Sequence, residues 1–202
     1  LSPALAADPS SPTAALAPSQ VTQVDDIVDR LRLDGERRRL PTILLLGIDA
    51  ASKREVACQV GARLNRHLYR LGLDDLPSAR GDLETLARLW QRESMLLPLA
   101  LYLDAEELDG GGHEKTAALQ WLLGSGDPGL VFIGMRERPA ASFENSEAIT
   151  IAKPTAQEQR DAWADLIGAE DSAAAATAAL LAGQFDLSQR DIALAVRQAT
   201  AM

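Results

Sequence analysis

Three short runs of apolar residues decide what this chain can fold into. Thr42–Leu46, Leu99–Leu103 and Leu130–Met135 are apolar at almost every position, whereas a strand with one wet face alternates apolar and polar residues. Each run is too short for a helix, so each reads as a strand buried on both faces. The segments between them carry helical spacing instead: Val56, Val60 and Leu64 within Ser52–Asn65, then Leu83, Leu86 and Trp90 within Asp82–Ser94, then Glu114–Leu123. With His67–Leu71 and Ala148–Ala152 as further strands, the alternation predicts an α/β fold: a parallel sheet between two layers of helices.

After Ile151 the pattern changes and only helical segments remain. Thr155 and Glu158 form a capping box that opens a helix through Ile167. Ala173–Phe185 is alanine-rich, and Ser188 caps a last helix with Ile192 and Val196 inward. Ala and Leu, 35 and 32 of the 202 residues, favour helix over sheet in the remainder. The expected organisation is a Pro/Ala-rich tail or linker over residues 1–20, an α/β domain over 21–153 opened by a short helix from Val21, and a small all-helical lid over 154–202. The chain opens on Leu1 rather than Met, which reads as a removed start or as a piece of a longer protein.

A formal net charge of −9 disfavours nucleic acid, whose binders gather Lys and Arg on one face. Cys58 has no disulfide partner, and His67 and His113 stand apart from it, so neither a disulfide framework nor a zinc site is expected. No apolar run reaches the ~18 residues of a membrane span. These features predict a soluble, cytoplasmic protein.

The chemistry is expected at the end of the first buried strand, in Gly47-Ile48-Asp49-Ala50-Ala51-Ser52-Lys53-Arg54. A strand, a loop and then a helix make up the architecture of a phosphate-binding loop. Backbone amides curl around the phosphate oxygens, the helix N-terminus favours the anion, a lysine reaches the terminal phosphates and a hydroxyl takes magnesium. Gly47 and Lys53 stand at the spacing of G-x-x-x-x-G-K-[ST], with Ser52 in place of the second glycine and Arg54 in place of the hydroxyl. An ordinary strand-to-helix loop with an exposed lysine fits the same residues. A second buried strand ends in Asp104, 51 residues beyond Lys53, where a magnesium-organising aspartate would stand. A helix-capping role is the alternative for Asp104. Ala105 occupies the next position, where a water-activating glutamate is wanted, and Glu106 and Glu107 are expected to point elsewhere.

In this order the segments resemble an AAA+ ATPase module, a P-loop NTPase, over about Val21 to Met202. Thr42–Arg54 corresponds to Walker A, Leu99–Asp104 to Walker B, Leu130–Pro139 to the sensor-1 strand and turn, and Phe185–Ile192 to the lid motif, with Arg190 at the sensor-2 position. The resemblance implies ATP or ADP as ligand, held by Gly47, Ser52, Lys53, Arg54 and Arg190, and magnesium at Asp104. It also implies assembly with itself or another AAA+ domain in a ring.

The departures from the family's pattern are numerous. Besides Ser52, Arg54 and Ala105, the sensor-1 strand ends Gly134-Met135-Arg136 without the usual Asn or Thr. Pro139–Glu147 holds no arginine finger, and the loop Asp74–Asp82 lacks a substrate-gripping aromatic. An arginine finger alone is worth about 10³ to 10⁵ in rate. Arg54 either fills the cation site with its guanidinium or pairs with Asp104. The expectation is therefore a degenerate nucleotide-binding module that hydrolyses ATP little or not at all and serves assembly or regulation in a larger protein. One alternative is an active ATPase completed by a neighbouring subunit, with Glu106 or Glu107 contributing. The other is a scaffold or adaptor whose P-loop is a relic. Trp90, Trp121 and Trp163 are expected in apolar cores, Gly110–Gly112 with His113 as a solvated turn, and Arg37–Arg39 as a solvated helix end.

Overall fold

The computed structural model describes residues 6–7, 16–33, 39–106, 113–139, 143–168 and 172–200. Its elements run β1 (Ala6–Ala7), α1 (Pro18–Leu33), β2 (Thr42–Leu46), α2 (Ala50–Arg63), β3 (His67–Gly72), a 3-10 turn (Leu73–Asp75), α3 (Arg80–Leu96), β4 (Leu99–Asp104), α4 (His113–Gly124), β5 (Leu130–Met135), β6 (Ser146–Thr150), α5 (Ala156–Ile167), α6 (Ser172–Gln184) and α7 (Gln189–Thr200). The sheet order is β1-β3-β4-β5-β2-β6. The last five of these strands are mutually parallel, and β1 lies antiparallel on the β3 edge. This is the α/β sheet flanked by helices that the buried runs predict, followed by a helical region.

Because the sheet is covered on both sides, the pleat divides each strand between two cores. Leu44, Leu71, Leu101, Leu103, Val131 and Ile133 pack with α3 and α4. Ile43, Leu45, Leu68, Ala100, Tyr102 and Phe132 pack with α1 and α2 on the opposite face. The faces follow from handedness. The chain moves from β2 outward past β5 and β4 to β3, then returns through β4 to β5, and a right-handed crossover in the reverse direction must use the other face. So α2 leaves β2 toward one face, while the connection after β5 carries Phe143 into the core on the other. Adjacent strands whose connections diverge leave a crevice at their carboxyl ends. Gly47 and Met135 stand at that crevice.

Several boundaries differ from the sequence expectation. The first helix starts at Pro18, inside the stretch expected to be linker, because proline at the first helical position lacks only an N–H that would have no helical partner. Thr22 stands inside this helix and donates to the Pro18 carbonyl. Ala6–Ala7 adds a strand the composition concealed. Most consequential, α2 begins at Ala50 rather than Ser52, because Asp49 caps it. Gly110–Gly112, Arg37 and Arg38 lie outside the described residues, as does the side chain of His113. Trp90 and Trp163 are buried in their cores as expected. Trp121 is half-buried, with the Arg80 guanidinium 5.9 Å from its ring centroid. Among the described residues no helix is long and apolar enough to cross a membrane.

Candidate functional site

Two glycines make the crevice. Gly47 has φ +139°, and a Cβ there would sit 2.4 Å from the Ile151 carbonyl oxygen, so only glycine turns the chain out of β2 this close to the end of β6. Its N–H donates to the Met135 and Arg136 carbonyls, both at 3.1 Å, which ties the loop to the end of β5. Gly134 makes room for a ring: a Cβ there would stand 2.1 Å from the Tyr102 hydroxyl. The Tyr102 side chain lies buried beneath the site, and burial pushes its phenol far above the ordinary range. The Asp104 and Glu106 carboxylates add to that effect, while Arg54 and Arg70 oppose it.

From Gly47 the chain takes only Ile48 and Asp49 before entering α2. Asp49 is the N-cap. Its Oδ1 accepts from the amides of Ala51 (3.0 Å) and Ser52 (3.2 Å), and its Oδ2 accepts from the Ser52 hydroxyl (2.8 Å). A helix N-terminus offers unpaired amides to an anion. Here the chain's own carboxylate takes two of them.

Lys53 lies on the first turn of α2 and is completely buried, at 0% exposure. Its ammonium donates to the carbonyls of Gly47 (2.5 Å) and Met135 (2.7 Å), and it meets Glu106 Oε1 as an ion pair at 2.5 Å. The exposed lysine of an ordinary loop is therefore not what the fold makes of this residue. Glu106 side-chain exposure is 16%, and its Oε1 accepts no hydrogen bond, so Lys53 is its counter-charge. The expectation that Glu106 points away is thus corrected. Asp104 ends β4, pairs in register with Gly72 of β3 and Gly134 of β5, and binds Arg70 at 2.5 Å. The turn that follows Asp104 brings the carboxylate two residues on to the lysine. Glu107 lies outside the described residues.

Ser52 is engaged from a second direction. Gln20 of α1, only 1% exposed, donates to the Ser52 hydroxyl (3.0 Å) and to the Ala152 carbonyl (2.8 Å), while its own Oε1 accepts from the Ala17 amide (3.3 Å). Among the expected site residues, Gly47, Ser52 and Lys53 come together. Arg54 and Asp104 stand near Tyr102 on the flank of the site. Arg190, the second residue of α7, is exposed and has no hydrogen bond or ion pair among the described residues. Nor do the described residues hold any group of three or more His, Cys, Asp or Glu arranged for a metal ion.

The residues that sequence reasoning missed are Gln20, Asp49, Tyr102 and Gly134, together with the pairing of Glu106 to Lys53. Only Asp49 carried a signal, an Asp three residues before Ser52 at the start of an apolar-periodic segment, which is an N-cap pattern.

Beyond β6 the chain enters the helical region. Thr155 caps α5 with both halves of the capping box present, and α7 is capped by Ser188, whose hydroxyl accepts from the Asp191 amide at 3.2 Å. Ala162, Trp163, Ala178 and Ile192 form a core of its own. Residues 155–202 match the contractile injection system ATPase helical domain. The match begins at the cap residue and takes in all three helices, so this region is similar to that domain; it spans less than half of the chain. No curated protein matches the chain.

The region similar to the contractile injection system ATPase helical domain is pinned by two polar clusters. Glu158 accepts from the amide (2.7 Å) and hydroxyl (3.0 Å) of Ser19 on α1, and from the amide (2.8 Å) and hydroxyl (2.9 Å) of Thr155. Burial raises the pKa of Glu158, but these donors from Ser19 and Thr155 outweigh it and hold the carboxyl below its ordinary value. Lys153 donates to the Asp186 carboxylate (2.8 Å), as does Gln159 (3.0 Å), and both bonds lower the pKa of Asp186.

Proposed function

We propose that this chain is an AAA+-type P-loop module of a contractile injection system, acting through assembly with protein partners rather than through ATP turnover. The match of the helical region to a domain of such a system's ATPase supports the assignment to that machinery. The observation that carries the reading of the site is the pairing of Lys53 with Glu106 while Asp49 holds the amides of α2. A polyphosphate bound here would have to displace two carboxylates of the chain itself, and Ser52, already bonded to Asp49 and Gln20, offers it no free hydroxyl. As arranged, these residues do not fit a nucleotide's phosphates. Magnesium fares no better, since Asp104 is bound to Arg70 and Arg54 stands where a hydroxyl ligand belongs. The partners are proteins, a second copy or another AAA+ domain in a ring among them.

The test is a thermal-shift titration with ATP, ADP and a non-hydrolysable analogue, each with and without magnesium, beside a turnover assay. A ligand at 100 times its Kd would stabilise the fold by about 2.7 kcal/mol. The expected result is no shift and no turnover. Turnover that is lost in Lys53→Ala would overturn the reading. One observation favours a second reading, an ATPase completed by a neighbour: Glu106 is at the site, where a water-activating carboxylate would be useful. That reading requires turnover in the assembled protein and its loss in both Lys53→Ala and Glu106→Ala.

A further inference from the structure

The two carboxylates that organise this molecule's ends, Asp49 at the phosphate-type loop and Glu158 at the helical region, are joined through adjacent residues of one helical turn. Ser19 gives its amide and hydroxyl to Glu158. Gln20, the next residue, reaches in the other direction to Ser52 and to the Ala152 carbonyl. Ser52 in turn donates a hydrogen bond from its hydroxyl to Asp49 Oδ2, and Asp49 Oδ1 accepts from the amides of Ala51 and Ser52. The path is continuous: Glu158, Ser19, Gln20, Ser52, Asp49.

The chemistry gives each link a direction. A serine hydroxyl has one proton and two lone pairs. The Gln20 amide donates to a lone pair of Ser52 and so directs the hydroxyl proton toward Asp49, whose second oxygen is then free for the backbone. Gln20 is almost wholly buried and all three of its amide contacts are polar. A shift of α1 that broke one would leave a polar group without a partner, at a cost the fold resists. The first turn of α1 is therefore not free to follow the helical region without affecting Ser52, nor to follow Ser52 without affecting Glu158.

We propose that this first turn is a coupler: the seating of α5 on Ser19 and the closing of the α2 N-terminus by Asp49 are thermodynamically linked through Gln20. Whatever moves the helical region, a protein partner above all, thereby loosens or tightens the N-terminus of α2, and an anion displacing Asp49 moves the helical region in return. Coupling of this kind is reciprocal and amounts to about 5-fold to 150-fold in an equilibrium constant. The proposal does not rest on the absence of turnover, because its test reads no nucleotide chemistry.

The experiment is amide hydrogen exchange on the full chain, comparing wild type with Ser19→Ala, Glu158→Gln and Gln20→Ala. Ser19 is exposed and its replacement by alanine is mild, so that variant keeps the test available should Gln20→Ala fold poorly. The expected result is that Ser19→Ala and Glu158→Gln each raise exchange at the Ala51 and Ser52 amides by about 5-fold or more, although the hydrogen bonds of both side chains go to α1, Thr155 and each other rather than to α2, while Leu119 in the middle of α4 keeps its protection. Faster exchange confined to residues 16–20 and 155–158 would overturn the proposal, as would a uniform rise that included α4. A second readout is the double-mutant cycle of Ser52→Ala with Glu158→Gln. Non-additive folding equilibria that become additive in a Gln20→Ala background are expected, and additivity in both backgrounds would equally overturn it.

Discussion

Replacing Glu106 with glutamine tests whether Lys53 depends on that carboxylate. The side chain keeps its shape and loses its charge, leaving a completely buried ammonium with only the Gly47 and Met135 carbonyls for company. Breaking a buried ion pair by removing one partner costs roughly 3–5 kcal/mol. Glu106 retains 16% exposure and the two carbonyls still solvate the ammonium, so the cost falls at or just below the bottom of that range, about 2–3 kcal/mol. In a protein of this size 1 kcal/mol moves Tm by roughly 2–4 °C, which puts the expected fall at about 4–12 °C. Urea unfolding should show a lower midpoint with an unchanged m-value, since the surface exposed on unfolding is the same. Lys53→Met is the informative partner. It leaves a carboxylate that can turn toward water, so it should cost less than Glu106→Gln, and the double variant should recover part of the loss. A Glu106→Gln penalty below about 1 kcal/mol, or one smaller than that of Lys53→Met, would refute the reasoning.

Gly134→Ala should destabilise by about 1–3 kcal/mol, because its Cβ would stand 2.1 Å from the Tyr102 hydroxyl inside a packed core. Tyr102→Phe removes that oxygen and should recover part of the loss in the double variant, though the ring carbon at 2.8 Å keeps the rescue incomplete. No rescue at all would mean that the clash is with the backbone instead. The lowered pKa of Glu158 fixes the sign of one pH dependence: a depressed carboxylate adds stability above its unfolded-state value and loses it as pH falls through the folded one. Urea midpoints of wild type and Glu158→Gln should therefore converge below the ordinary glutamate range of about 4.3. A gap that stayed constant down to about pH 3 would show that the Ser19 and Thr155 bonds do not depend on charge.

Much of this protein could be read from its sequence because the relevant signals are local. Thr42–Leu46, Leu99–Leu103 and Leu130–Met135 are apolar on both faces of the pleat, and any fold that buries them must cover the sheet twice. The change to purely helical segments after Ile151, and the Thr155–Glu158 box that opens α5, are likewise written within a few residues, and the helical domain they announce is present. Spacing singles out Lys53 and Gly47, and they do meet.

What they meet besides was decided elsewhere. The direction of Glu106 depends on the turn after β4 and on β5 lying between β4 and β2, a strand order that no neighbouring residues encode. Gln20 reaches Ser52 across 32 positions, and Ser19 reaches Glu158 across 139, from a stretch whose prolines read as linker. The sequence by itself determined the layers, the helical region and the place where an anion-binding loop would stand. Only the tertiary structure decided that this place is closed by the chain's own carboxylates, because charge pairs and buried amides are satisfied by whatever the fold brings near, not by what lies next along the chain.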